Sequence, residues 1–470
     1  MIRIKSVLKN ISYTITSNLI SLIVSTIVTL FLPKILGVSD YGYYQLYTFY
    51  VSYVGFLHFG WCDGMYLRYG GQDYETLSKD KFKGQFISLL VMQIVITLIF
   101  LIAINTQKGN DIDKFLVLLA VGANIVILNM RNFILLLLQS SNRIKDYSFI
   151  TIIDRMIFLF LVLILLALRV DNYYYFVIVD IIGKLVSFII AIFKVRDITP
   201  FSNTKSLFNY KESIINITVG INLMFANIAS MLIIGIVRFG IQYKWSVETF
   251  GKISLTLSIS NLLMVFVNAI SLAMFPILKK VDESKYKETY PLLRTILMPA
   301  IFILLLSYYP ISLILGRWLP QYEQSLRYMA IAFPIVVFDS KVGLITNTFL
   351  KALRREKDIF KVNLITAILS LLITGITVFV FESIELTVLS IVILVAIRGT
   401  LAEKVLGEYL KVSILPNMLL EYLMVAIFII AGWFFYGIIG CIIYFIAVCL
   451  YLFIQRKAIK NVVSKITNKG

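Results

Sequence analysis

Long apolar stretches separated by short polar connectors run along the whole chain. Apolar stretches of roughly 20 residues span a bilayer as helices, and no connector is long enough to hold a separate soluble domain. The fold class predicted from this pattern is all-α, a polytopic membrane protein with about fourteen transmembrane helices. The predicted spans are residues 12–32, 41–61, 83–104, 115–138, 149–168, 173–193, 213–236, 253–275, 292–315, 327–350, 362–381, 386–405, 416–435 and 437–455.

The composition changes this picture little. The 470 residues are 59% hydrophobic and 15% charged, with a mean hydropathy of +0.89, whereas soluble domains carry about 25% charged residues. The net charge of +18 would suggest a nucleic-acid partner in a soluble protein. Here every basic segment has membrane-spanning neighbours, so we predict no nucleic-acid partner and attribute the excess to cytoplasmic loops and anionic membrane lipids.

The distribution of loop charges predicts the orientation. With the N-terminus in the cytoplasm, the inside connectors carry about three times as many Lys and Arg residues as the outside connectors, and the bias alternates from loop to loop. A missed or additional helix would scramble that alternation downstream. Both termini are therefore predicted to be cytoplasmic, which requires an even number of helices.

The sequence also indicates an internal duplication. The connector QSSNRIKDYS (139–148) aligns with KALRREKDIF (351–360), and DYGYYQL (40–46) aligns with TFGKISL (249–255) at nearly the same offset. One period contains six helices, so both halves enter the membrane from the same side. We therefore predict two pseudo-symmetric six-helix bundles, residues 1–204 and 205–411, followed by two C-terminal helices and a basic cytoplasmic tail, residues 412–470.

Five basic residues lie three or more residues from either end of a predicted span: Arg131, Arg155, Lys184, Lys341 and Arg398. Basic residues closer to a span end, such as Arg294, are counted with the connectors. A charge at the bilayer centre costs about 2.5–3.5 kcal/mol on insertion scales, so these side chains should line a wet cavity or pair with acids. As a set they are candidates for contacting an anionic substrate. Phosphate is the natural anion, because Arg and Lys both bind it strongly.

Three intramembrane acids are candidate partners or coupling groups. Asp180 and Lys184 lie four residues apart on one helix face, so they form either a self-satisfied ion pair or a site where Lys184 is only partly neutralised. Asp154 and Arg155 are adjacent and point about 100° apart, so they cannot pair with each other.

Asp339 and Lys341 lie two residues apart on different helix faces. Lys341 therefore needs a partner from elsewhere in the chain or from a ligand, and ligand contact is the hypothesis we favour. Arg131 and Arg398 lie nearer the predicted cytoplasmic ends of their helices, where a long side chain can also extend to the interface.

The segment FGWCDGMYLRYGG (59–71) leaves the second span on the predicted cytoplasmic side. Its glycines permit tight turns, and Asp63 and Arg68 lie at the interface. The segment is either an ordinary helix exit with surface charges or a mouth that receives a lipid head group.

The sequence lacks four common nucleotide-binding, metal-binding and catalytic motifs. It contains no GxxxxGK[ST], no HExxH, no Cys/His metal spacing and no nucleophile elbow. We therefore predict a transporter or flippase with no metal and no cofactor, driven by an H⁺ or Na⁺ gradient or by synthesis on one side of the membrane.

The sequence resembles a known family in three stretches and in its helix plan. The stretches are FLPKILGVSDYGYYQL (31–46), FGWCDGMYLRYGG (59–71) and LQSSNRIKDYS (138–148), and the plan is six, six and two helices. All are similar to the polysaccharide-biosynthesis flippases, Wzx-type proteins of the multidrug/oligosaccharidyl-lipid/polysaccharide exporter superfamily. The resemblance covers essentially the whole chain.

The resemblance implies a function in the bacterial plasma membrane. Such proteins move undecaprenyl-pyrophosphate-linked oligosaccharide repeat units from the cytoplasmic to the outer leaflet for O-antigen, capsule or exopolysaccharide assembly. It further implies alternating access through a cationic cleft between the bundles. The implied partners are the lipid-linked oligosaccharide, membrane lipids, a polysaccharide polymerase and glycosyltransferases.

Three alternatives stay open at this point. A cation-coupled drug or metabolite exporter of the same superfamily would need an acidic site in the first bundle, and Asp154 and Asp180 keep that possibility open. A flippase for the peptidoglycan precursor is the second alternative. A membrane-embedded glycosyltransferase or ligase would need a sizeable loop with paired acids, which the sequence lacks.

Overall fold

The computed structural model of the protein describes residues 2–106, 111–203, 205, 210–279, 282–435 and 437–467. Within these ranges the chain forms helices and turns and no strand, which confirms the all-α prediction. The α-helices are α1 (Ile2–Val54), α2 (Trp61–Tyr69), α3 (Lys79–Thr106), α4 (Ile112–Ser140), α5 (Ile144–Ala167), α6 (Tyr173–Lys194), α7 (Tyr210–Lys244), α8 (Val247–Lys279), α9 (Tyr286–Leu305), α10 (Tyr308–Trp318), α11 (Glu323–Ala332), α12 (Ile335–Ser340), α13 (Asn347–Ala352), α14 (Glu356–Gly375), α15 (Ile384–Leu410), α16 (Leu415–Phe434) and α17 (Ile438–Thr467).

Each predicted span falls on helical structure. Twelve helical segments of the described chain are long and apolar enough to cross a membrane, so the chain is a multi-pass membrane protein. The first of these segments, Ser12–His58, covers the predicted span 12–32 and most of the predicted span 41–61. The predicted span 253–275 lies within α8.

Helix α1 is two helices joined at a glycine. Gly37 has φ 71° and ψ 179°, a conformation outside the helical region, and glycine adopts it without the steric cost of a Cβ atom. The break lies between the predicted spans 12–32 and 41–61, so the two spans are distinct elements in the structure.

The second half of the chain contains irregular helices. The predicted span 327–350 begins in α11, is interrupted at Phe333 and Pro334, and continues through α12, a π-helical turn at Lys341–Thr346 and α13. Proline has no backbone N–H to donate, which explains a break at this position. A second π-helical turn, Ile376–Val380, follows α14. Such turns are uncommon and often occur at functional sites.

The chain divides into two compact units, Met1–Ile228 and Ala229–Gly470. The first unit buries a core around Trp61, Met65, Phe86 and Phe133. The second unit buries a core that includes Tyr286, Tyr290, Phe349 and Leu406. Both cores are rich in aromatic rings, which bury a large apolar area per residue.

The two connectors aligned in the sequence have the same backbone geometry. Asn142 and Arg354 occupy corresponding positions and both have positive φ, 61° and 55°. In each connector the next residue donates its backbone N–H to a carbonyl five residues earlier, Arg143 to Leu138 and Arg355 to Leu350, both at 2.8 Å. The two connectors therefore form the same turn, and the duplication stays a prediction.

Candidate functional site

Arg131 and Asp154 form a buried ion pair in the first unit. Arg131 on α4 places Nη2 3.0 Å from Oδ2 of Asp154 on α5. Its Nε donates a hydrogen bond to Ser187 Oγ on α6 at 2.8 Å. Three helices therefore meet at this guanidinium, and its charge is compensated inside the bundle, as the membrane requires.

Asp180 and Lys184 form an ion pair along one face of α6. The hydroxyl of Tyr47 on α1 donates to Asp180 Oδ2 at 2.6 Å, and Asn124 on α4 donates to the Tyr47 oxygen at 2.9 Å. The Asp180 carboxylate thus accepts from two groups. The self-satisfied pairing is the arrangement present, and the roles predicted for these two residues in binding or coupling stay predictions.

Arg155 differs from the other intramembrane cations. It lies midway along α5 and is half-buried. Across the parts of the chain that the structure describes, no carboxylate or hydrogen-bond acceptor contacts its guanidinium. Its charge lies within electrostatic range of the buried Tyr44 hydroxyl and of Arg131. Since Asp154 already neutralises Arg131, Arg155 contributes an uncompensated positive charge to this unit.

Arg398 and Asp339 meet in the second unit. Arg398 on α15 places Nη1 3.5 Å from Oδ1 of Asp339 on α12. Its remaining donors reach Asn363 Oδ1 and Ser230 Oγ, both at 3.0 Å. This guanidinium therefore binds groups within the bundle, and the predicted alternative of extension to the interface does not describe its contacts.

Lys341 lies in a buried network of four charges. Its Nζ donates to Glu403 Oε2 on α15 at 2.7 Å and to Glu421 Oε2 on α16 at 2.8 Å. Arg294 on α9 donates through Nη2 to Glu421 Oε1 at 2.6 Å, and its Nε lies 3.3 Å from Glu403 Oε1. The Tyr290 hydroxyl also donates to Glu403. All five side chains are buried, and the two cations balance the two anions.

The network answers one question that the sequence left open. Lys341 takes its partners from elsewhere in the chain, two carboxylates contributed by α15 and α16. These ion pairs do not test whether Lys341 also contacts a ligand, so that role stays a prediction. Glu421 also links α16, which lies outside the predicted duplication, to Arg294 on α9 and to Lys341.

Sequence reasoning missed Glu403, Glu421, Arg294 and Tyr290. Arg294 lies two residues from the start of the predicted span 292–315, where basic side chains are counted with the loop charges, and the three candidate intramembrane acids are all Asp residues. A signal was present, because Glu403 and Glu421 both fall inside predicted spans. An intramembrane acid is a functional or structural partner by default.

The predicted mouth residues lie beside the start of α7. Arg68 on α2 places Nη1 2.8 Å from Glu212 Oε2 and donates to Asn216 Oδ1 at 2.6 Å. Asp63 Oδ2 lies 3.8 Å from His58 Nε2. Burial raises the pKa of the Asp63 carboxyl to about 6, because desolvation disfavours its charged form.

Backbone contact between α2 and α7 explains two glycines, one in each helix. A Cβ atom at Gly64 would lie 1.8 Å from the carbonyl oxygen of Asn216, and one at Gly220 would lie 2.0 Å from that of Gly60. Only glycine permits helices to approach this closely. The segment 59–71 is thus held against the first turns of α7 by backbone packing as well as by Arg68.

Structural comparison finds the same fold in membrane transporters. Lipid II flippase MurJ in an inward closed conformation superimposes with a TM-score of 0.64 at 13% identity, covering 96% of this chain and 100% of that chain. An inward-facing multidrug resistance MATE family transporter of the MOP superfamily gives 0.58 at 10% identity, covering 88% and 95%. An outward-facing MATE structure gives 0.54 at 11% identity, covering 86% and 96%.

This chain shares the fold of these MurJ and MATE structures. No protein-family model and no curated protein matches its sequence. At these identities the likeness establishes the fold alone, and fold does not fix substrate.

Proposed function

We propose that the protein is a flippase that moves undecaprenyl-pyrophosphate-linked oligosaccharide repeat units from the cytoplasmic to the outer leaflet. The fold supports a transporter, and the sequence resemblance to Wzx-type proteins supports this substrate class. The observation that carries the proposal is Arg155, a cation midway along an apolar helix without a counter-ion among the described residues.

Arg155 is suited to receive a phosphate-bearing group. Its planar guanidinium offers five donors that match phosphate oxygens. An intramembrane charge without an internal partner is costly, and an anionic substrate would offset that cost while it is bound. Arg131, Lys184, Lys341 and Arg398 already have carboxylate partners, so Arg155 is the primary contact in this proposal and they are secondary ones.

The contacts of Asp180 argue against the exporter alternative. An acidic site that binds organic cations needs a carboxylate free to accept them. Asp180 is occupied by Lys184 and Tyr47, and Asp154 by Arg131. The peptidoglycan-precursor flippase is kept as the second candidate, because the MurJ fold covers 96% of this chain.

Reconstitution into vesicles tests the proposal. The purified protein is incorporated into liposomes that contain an undecaprenyl-pyrophosphate-linked oligosaccharide, and a membrane-impermeant glycosidase measures the fraction of sugar exposed outside. We expect the protein to increase the exposed fraction over protein-free vesicles. Matched vesicles containing lipid II or a fluorescent organic cation serve as comparisons. Transport of lipid II alone would favour the second candidate, and transport of the organic cation alone would refute a flippase.

A further inference from the structure

A pocket lined by polar and apolar side chains lies in the second unit beside the four-charge network. Its volume is ≈ 260 Å³, and it is partly open. It is lined by α9, by α16 and α17, and by the connector between α15 and α16. The lining residues that the argument uses are Arg294, Ser413, Asn417, Glu421, Tyr451 and Gln455.

Several polar side chains of this pocket have no protein partner. Ser413, Asn417 and Gln455 make no side-chain hydrogen bond to any part of the chain that the structure describes. Asn417 and Glu421 lie one helical turn apart on the same face of α16. The pocket lining therefore contains side-chain hydrogen-bond donors that have no protein acceptor among the described residues. They lie near the guanidinium of Arg294, whose Nη2 is 2.6 Å from Glu421 Oε1.

Three cationic residues are close in sequence to residues that line the pocket. Lys411 comes directly before the lining residues Val412 and Ser413 of the connector, and Arg456 and Lys457 come directly after Gln455. All three cationic side chains are exposed. The loop charges predict that this end of the helices faces the cytoplasm. The cytoplasmic leaflet is rich in anionic lipids, which attract basic segments with about 1 kcal/mol per residue.

We propose that this pocket binds a phosphate-bearing lipid head group, with Arg294 as its principal contact. Glu421 Oε1 occupies the position on Arg294 that a phosphate oxygen would take, and an incoming phosphate replaces it. Lys341 retains Glu421 Oε2 and Glu403 as partners during this exchange. The proposal is independent of the proposed substrate, because Arg155 belongs to the other unit.

Binding of short-chain lipids to the purified full-length protein tests this site. The probes are a short-chain anionic phospholipid, inorganic phosphate and a monoacylglycerol that lacks phosphate, each measured by thermophoresis. We expect saturable binding of the phospholipid and none of the monoacylglycerol. Inorganic phosphate that binds as tightly as the phospholipid would support the same chemistry and identify a soluble source. Binding of all three probes with equal affinity would overturn the proposal.

Two variants locate the binding. Asn417→Trp fills the pocket without removing a member of the charge network and is expected to weaken phospholipid binding at least tenfold. Ala120→Trp is the matched control, because it fills an apolar pocket of the first unit and should leave the affinity unchanged. Glu421→Gln removes the competing carboxylate and should tighten binding several-fold. Equal affinity in Asn417→Trp and the wild type would overturn the proposal, even if Glu421→Gln fails to fold.

Discussion

Replacing Lys341 by methionine is expected to lower the free energy of unfolding by about 3–5 kcal/mol, the cost of breaking a buried ion pair by removing one partner. Glu403 and Glu421 would then share Arg294 as their only cation among the described residues. The loss is measured as a lower midpoint of thermal unfolding in detergent.

The matched control is the same substitution in an exposed pair. Lys244 Nζ lies 2.7 Å from Glu382 Oε1, with side chains 33% and 59% exposed. Exposed pairs contribute about 0–1 kcal/mol, so Lys244→Met should change the midpoint little. Equal midpoints for the two variants would show that the buried network does not stabilise the second unit.

Replacing Gly64 by alanine is expected to separate α2 from α7. The added Cβ would lie 1.8 Å from the Asn216 carbonyl oxygen, and overpacking of this kind costs about 1–3 kcal/mol or more. We expect a value at the upper end, because the obstructing atom belongs to the backbone and cannot change rotamer. Arg68 should also lose its contacts with Glu212 and Asn216.

The neighbouring Cys62 reports on this separation. Its side chain is fully buried, so maleimide labelling in a Cys441→Ser, Cys449→Ser background measures opening of the α2 packing. Gly64→Ala should accelerate labelling strongly. Gly375→Ala is the control, because a Cβ there meets nothing within 4 Å. Slow labelling of Gly64→Ala, equal to the control, would contradict the proposed close packing.

The sequence predicted the helices well because hydropathy reports on each helix by itself. Fourteen apolar stretches all fall on helices, and the aligned connectors share positive φ at Asn142 and Arg354. The π-helical turn at Lys341 was not predicted, since its hydrophobic pattern is that of an α-helix. The orientation in the membrane stays a prediction.

The charged contacts were only partly predictable. The Asp180–Lys184 pair follows from spacing along one helix. The pairs Arg131–Asp154 and Lys341–Glu403 join different helices, and they depend on how each helix is rotated and packed. Hydropathy carries no information on that rotation. For the same reason, the sequence could not show that Arg155 lacks a carboxylate partner among the described residues while the other four intramembrane cations have one.

Arg155 separates function from folding better than Lys341 does. Lys341→Ala would disturb a buried network, so a loss of transport in that variant would follow from instability alone. Arg155 makes no ion pair with the described residues, so its removal should leave the unfolding midpoint near that of the wild type. A transport defect in an Arg155 variant can therefore be attributed to the missing charge.

The most direct measurement is the rate of lipid-linked oligosaccharide translocation in vesicles that contain Arg155→Gln. A hydrogen bond to a charged group contributes about 1.5–3 kcal/mol, so we predict a rate at least tenfold lower than that of the wild type. Arg155→Lys should keep much of the activity, and the exposed Arg169→Gln, just beyond the same helix, should keep all of it. A folded Arg155→Gln protein that translocates the oligosaccharide at the wild-type rate would contradict the account.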